Sequence, residues 1–189
     1  NITSDIVKIY LNNVNIKTPA GPALLISQNV TAKVYIYLEG NNVLTTTDGN
    51  SAALQKNNVA NANDSANLII NTCPTNSGNL TATAPSYGAG IGGGFNHTGS
   101  GISILGGSVT ASSYFGAGIG GGGRPDTPNS SSGTGSNISI SGGSVTASSH
   151  SGAGIGGGSN STGSDISISG GSVTASSRYG AGIGGGSYS

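Results

Sequence analysis

Apolar residues alternate with small or polar ones in short, regularly spaced runs. From Ser164 to Gly186 the chain reads SDISISGGSVTASSRYGAGIGGG. Ile166 and Ile168 flank a serine, Val173 and Ala175 flank a threonine, and Ala181 and Ile183 flank a glycine. Alternation with a period of two puts every second side chain on one face, the pattern of a strand buried on one side. Gly-Gly or Ser/Gly-rich bends separate the runs. No window carries helical spacing.

The same stretch is written out repeatedly. Ser136–Gly158 and Ser100–Gly122 match Ser164–Gly186 almost letter for letter, and the first glycine of GAGIGGG falls at Gly88, Gly116, Gly152 and Gly180. The steps are 28, 36 and 28 residues, so the core period is 28, and the long step carries an eight-residue insertion within Gly122–Gly135. A unit this short cannot bury its apolar face alone and must stack on its neighbours. Three strands per turn at fixed period predict an all-β, single-stranded parallel β-helix, a β-solenoid, read here as right-handed. Equivalent strands of successive coils then pair about 4.8 Å apart. Four interior columns follow: Ile102/Ile138/Ile166, Ile104/Ile140/Ile168, Val109/Val145/Val173, and Ile91/Ile119/Ile155/Ile183. A disordered Gly/Ser linker has no reason to hold isoleucine in phase, and collagen needs glycine at every third position.

The N-terminal part keeps the phase with larger residues. Val7, Ile9 and Leu11 alternate, then Val14 and Ile16, then Ala20–Ile26. A second cycle runs through Val34, Ile36 and Leu38, a bend at Glu39–Asn42, and Val43-Leu44, with Ser51–Gln55 standing where GAGIGG stands later. A third opens at Leu68-Ile-Ile70 and continues through Leu80–Ala84. Asn57–Ala66 and Asn71–Ser77 read as loops. The expectation is about six coils of 28–36 residues in one solenoid domain, 1–189, with irregular larger coils over 1–84 and regular GAGIGGG coils over 85–189.

Composition narrows the chemistry. Formal net charge is zero and 6% of residues are charged, which leaves no basic patch for nucleic acid. No apolar run approaches the roughly 20 residues of a membrane-spanning helix. Asn1 in place of Met suits a processed or excerpted chain. Cys73 is alone and cannot form an internal disulfide. GAGIGGG contains G-x-G-x-x-G four times, but a dinucleotide site needs that turn between a strand and a helix. Its glycine runs carry no Asp, unlike a calcium-binding β-roll. Asp5 and Asp165 share a Ser-Asp-Ile context, yet Asn137 and Gly101 replace them in other coils, which reads as a solvated bend. Arg124 with Asp126, and His97 or His150, supply no pair of convergent carboxylates for glycoside chemistry. The expectation is no enzyme, no metal and no cofactor.

Two repeated surface features remain. Ser108, Thr110 and Ser112 stack with Ser144, Thr146, Ser148 and with Ser172, Thr174, Ser176 as a hydroxyl grid suited to ice or a glycan, or simply to a solvated strand face. Just before each GAG lie Ser86-Tyr87, Tyr114-Phe115, His150-Ser151 and Arg178-Tyr179. Tyr87, Tyr114, Phe115, His150 and Tyr179 are candidates for a glycan platform, or for rings that stabilise the bend. Among the Asn-x-Ser/Thr sites, Asn63, Asn96, Asn129 and Asn160 fall on loops and are the candidate acceptors should the chain be secreted by a eukaryote.

With GGSVTASS-x-x-GAGIGGG and its ISISGG linker in view, the chain resembles right-handed β-helix repeats of large extracellular proteins. Leu11–Ile16 and Leu38–Leu44 look like modules of bacterial cell-surface proteins often labelled carbohydrate-binding. The resemblance implies an extracellular or cell-surface place and glycan contact or adhesion, and carries over no binding residue. The first and last coils also match in phase: GAGIGGGSYS followed by NITSDI parallels the internal GAGIGGGSNSTGSDI. This predicts head-to-tail stacking of copies into a filament, or an excerpt of a longer solenoid. The expected role is therefore structural, with glycan binding and ice binding as alternatives.

Overall fold

The computed structural model describes residues 5–57, 68–73, 77–124 and 133–189. The chain is an all-β parallel β-helix. Coil 1 is built from β1 (Ile6–Asn12), β2 (Asn15–Thr18) and β3 (Leu24–Ile26), and coil 2 from β4 (Lys33–Thr46) and β5 (Leu54–Lys56). Coil 3 holds β6 (Leu68–Thr72), β7 (Gly78–Thr83) and β8 (Ile91–Gly92), and coil 4 holds β9 (Gly99–Ile104), β10 (Ser108–Ser113) and β11 (Ile119–Gly120). Coil 5 holds β12 (Gly135–Ile140), β13 (Ser144–Ser149) and β14 (Ile155–Gly156), and coil 6 holds β15 (Ile166–Ile168), β16 (Ser172–Ser177) and β17 (Ile183–Gly184).

Equivalent strands pair in parallel from coil to coil and make three faces. Face A runs β1-β4-β6-β9-β12-β15 and face B runs β2-β4-β7-β10-β13-β16, the two sharing β4. Face C runs β3-β5-β8-β11-β14-β17. The four expected columns form, and each extends into the N-terminal coils. Val7, Val34 and Leu68 continue to Ile102, while Ile9, Ile36 and Ile70 continue to Ile104. Leu24 and Leu54 continue to Ile91. The valine column continues through Leu80 to Asn42. From Val34 to Ile155 these apolar residues are buried. Each buried Ile, Leu or Val contributes on the order of 1.5–3 kcal/mol.

Asn42 and Lys56 are among the buried polar side chains. Asn42 is 1% exposed; its Oδ1 accepts from Val14 N at 3.0 Å and its Nδ2 donates to Glu39 O and Asn79 O at 3.1 and 3.0 Å. All three partners are backbone groups at one corner, so the amide satisfies a bend from within. Lys56 is also buried, and its Nζ donates to the Ser100 carbonyl at 2.7 Å.

Two expectations need correction. The Glu39–Asn42 bend does not interrupt the strand: β4 runs unbroken through Gly40, whose φ of 62° turns the chain while the ladder to β7 continues. Asn71 and Thr72 belong to β6, paired with Tyr37 and Leu38, so no loop begins at Asn71. The Asn57–Ala66 loop lies outside the described residues apart from Asn57.

The GAGIGGG corner has a repeated construction. The N–H of Ala89, Ala117, Ala153 and Ala181 donates to the carbonyl four residues on, at 2.9 Å in each copy. The loop closes around an inward isoleucine. Directly after that isoleucine, Gly120 has φ 130°, and a Cβ there would meet the Gly156 carbonyl oxygen at 2.1 Å. Gly92, Gly120 and Gly156 are alike filled against the next coil, which leaves no cradle for a phosphate at these corners.

Candidate functional site

The bend column before each GAG brings the five predicted residues together. Phe115 N donates to Ser86 O, Ser151 N to Tyr114 O, and Tyr179 N to His150 O, so these positions stack coil on coil. Tyr87 and Phe115 are stacked at 4.9 Å, and Tyr114 and His150 at 4.0 Å. Tyr114 meets Phe115 edge-on at 4.7 Å, and His150 meets Tyr179 edge-on at 4.9 Å. Phe95, absent from the prediction, closes the other end against Tyr87 at 5.4 Å. The Arg178 guanidinium lies 5.2 Å from the Tyr179 centroid, a cation over a ring face. Each such pair is worth about 0.5–1.5 kcal/mol beyond its buried area. Tyr114 and Tyr179 remain 43% and 60% exposed, whereas Tyr87, Phe115 and His150 are half-buried.

Face B carries the hydroxyl grid. Ser108, Ser144 and Ser172 are in register, as are Thr110, Thr146 and Thr174, and both sets are exposed. Ser112, Ser148 and Ser176 form a third rank, with Ser112 and Ser148 half-buried. Coil 3 adds Asn79, Thr81 and Thr83. The following serine has a different task. The Oγ of Ser113, Ser149 and Ser177 donates to the carbonyl of Gly88, Gly116 and Gly152 in the preceding coil, at 2.6, 2.7 and 2.6 Å.

Face A holds a feature that sequence reasoning missed. Tyr10 and Tyr37 stack at 5.1 Å, and Tyr35 stacks on Tyr37 at 6.0 Å. The tyrosines stand in the outward phase of IVKIYLN and KVYIYLE, and that phase was the available signal. Beside them a groove of about 550 Å³ runs from Lys33 and Tyr35 over Ser103 and Ser139 to Asn137 and Asp165. Gly101, Asn137 and Asp165 share one left-handed bulge position, at φ 65°, 50° and 52°. Gly, Asn and Asp are the residues that tolerate this conformation, which accounts for the exchange of Asp for Asn and Gly along the column.

Four segments, 76–95, 102–123, 138–159 and 166–187, match the family model described as a beta helix repeat. The chain carries beta-helix repeats. Neither a curated protein nor a solved structure matches it.

Each beta-helix repeat spans a face-B strand, the bend column and a GAGIGGG corner. Between copies the residues that build the coil hardly change, and the pair before GAG changes every time. The repeat thus leaves that pair free to vary in chemistry along an otherwise constant rod. The remaining candidates are dispersed. His97 is exposed beyond the corner of coil 3, and Arg124 is half-buried, its Nε enclosed without a hydrogen-bond partner. Asp126 lies outside the described residues. Cys73 is a half-buried free thiol. Of the glycosylation candidates, Asn96 and Asn160 occupy equivalent tight turns with φ 57° and 61°; Asn63 and Asn129 lie outside the described residues.

Proposed function

We propose that the chain is a non-catalytic structural β-solenoid of an extracellular or cell-surface fibre, whose coils continue by end-to-end stacking of copies or within a longer solenoid, the first of which is tested below. The observation that supports this is the edge presented by coil 6. The interior columns are buried through coil 5, yet their members Ile168 and Ile183 are 42% and 45% exposed. At the opposite edge Ile6 and Val7 are 57% and 43% exposed. A coil laid on either edge in the register already used five times would bury these side chains and pair the free strand groups. Such a contact is heterologous and open, which gives filaments.

Negative-stain electron microscopy with sedimentation tests the reading. The expected result is long uniform rods with about 29 Å per copy, six coils at the strand spacing. Ile168→Glu with Ile183→Asp disperses them. Single short rods at high concentration, unchanged by those substitutions, overturn it.

A second reading, glycan adhesion, is favoured by the exposed rings of Tyr114 and Tyr179 at the bend column. Its support would be glycan-array binding that Tyr114→Ala and Tyr179→Ala abolish; an array without signal ends it.

A further inference from the structure

Face B is the part of the surface that the fibre reading does not use. Between β7 and β16 the strands pair with no bulge, residue for residue, from Asn79-Leu80-Thr81 to Ser172-Val173-Thr174. The outward groups therefore form a rectangular grid, spaced about 4.8 Å from coil to coil and about 6.6 Å along each strand. From coil 3 to coil 6 the central rank is threonine without exception: Thr81, Thr110, Thr146 and Thr174. No charged or aromatic side chain stands in the three ranks of these coils.

The shape and chemistry of this face define its ligand. Its unbulged ladders present a strand face rather than the kind of cleft in which a small molecule is buried. One hydroxyl contact gains little over the hydrogen bond to water that it replaces. A ligand gains affinity here only by repeating at the grid spacing, so that many weak contacts are made without separate ordering. The absence of charge argues against an ionic mineral surface, and the absence of rings argues against a sugar lattice, which is bound by stacking. What remains is a periodic, uncharged lattice of hydroxyl groups. We propose that the Ser/Thr grid of face B binds the surface of ice, the threonine methyls and hydroxyls ordering water into the lattice. Stacking of copies would lengthen the same grid, but the inference does not require it.

Thermal hysteresis, ice shaping and incorporation into a growing ice hemisphere test this on the purified chain. The variants are Thr146→Tyr, which interrupts the central rank, and Ser141→Tyr at the exposed residue just past β12, in the column that holds Leu105 in the preceding coil. Circular dichroism checks that each is folded. The expected result is faceted ice and measurable hysteresis for the parent chain and Ser141→Tyr, with loss to the level of a non-binding control for Thr146→Tyr. Unshaped ice with a folded parent chain overturns the proposal, as does full activity in folded Thr146→Tyr. Retention on crystalline cellulose without ice activity also overturns it, in favour of a polysaccharide lattice.

Discussion

A single hydroxyl repeated three times shows how the coils are clamped. In SVTASS the last serine falls in the inward phase with Val145 and Ala147, whereas Ser148 belongs to the outward grid. Ser149 turns to the previous coil, donating to Gly116 O at 2.7 Å and lying 3.2 Å from Tyr114 O. Ser149→Ala leaves the Gly116 carbonyl without this donor and should cost about 1 kcal/mol, read as a lower urea midpoint. Ser148→Ala, with its side chain on the solvated face, should stay within about 0.5 kcal/mol of the parent. At Gly120 the backbone decides more sharply. A methyl there combines φ 130° with a carbonyl oxygen 2.1 Å away that belongs to the next coil's backbone. Gly120→Ala should cost on the order of 3 kcal/mol or more and leave little folded protein. Gly21 separates the two causes, since its φ is 83° but nothing lies within 4 Å of a Cβ. Gly21→Ala carries strain alone, about 1–2 kcal/mol, and should fold. Parallel melts of the two variants check the order.

At the scale of strands and corners, legibility followed periodicity. The four interior columns were readable because isoleucine recurs two residues apart in each strand and a fixed period apart between coils, and no other arrangement buries both spacings. β4 was misread because Glu39-Gly-Asn-Asn has the composition of a turn, whereas Gly40 bends the chain and Asn42, pointing inward, replaces the hydrogen bonds a break would lose. Tyr35 and Tyr37 stand in the outward phase of the same strand, which the apolar alternation that marks the core does not single out. The corner after β4 carries an acid, Asp48, whose titration is displaced. Asp48 Oδ2 accepts from Ser51 Oγ at 2.5 Å and from Gly21 N at 3.3 Å, and Oδ1 accepts from Asn50 N at 3.3 Å. The Ser51 hydroxyl holds the Asp48 carboxyl below the ordinary Asp value; burial opposes it, and the N–H groups of Asn50 and Gly21 add to the lowering. A folded-state pKa lower than the unfolded one adds stability that is present above about pH 4 and is lost as the pH falls through the folded value. Urea midpoints should therefore drop between pH 5 and pH 3, and Asp48→Asn should flatten that dependence. An equal drop in the variant would assign the effect elsewhere.

For the whole molecule, stability is close to a sum over coils and the contacts between neighbours, because each coil touches only those above and below. Position along the rod should then matter more than residue type. Ile119 and Ile183 occupy the same column and the same corner two coils apart, and differ in their neighbours. Ile119 is fully buried between coils 3 and 5, while Ile183 is 45% exposed. Truncating Ile119 removes a full transfer contribution and opens a cavity that two flanking coils cannot close, so Ile119→Ala should cost about 3–4 kcal/mol. Ile183→Ala loses roughly half the area and leaves no enclosed void, so about 1 kcal/mol or less is expected. Hydrogen exchange should mirror this, with protection greatest in β10 and β11 and falling toward coil 6. The same comparison bears on stacking. If copies join end to end, Ile183 becomes interior, and the cost of Ile183→Ala should climb toward that of Ile119→Ala as protein concentration rises. A cost for Ile183→Ala that stays small at every concentration would mean that coil 6 keeps its edge in water.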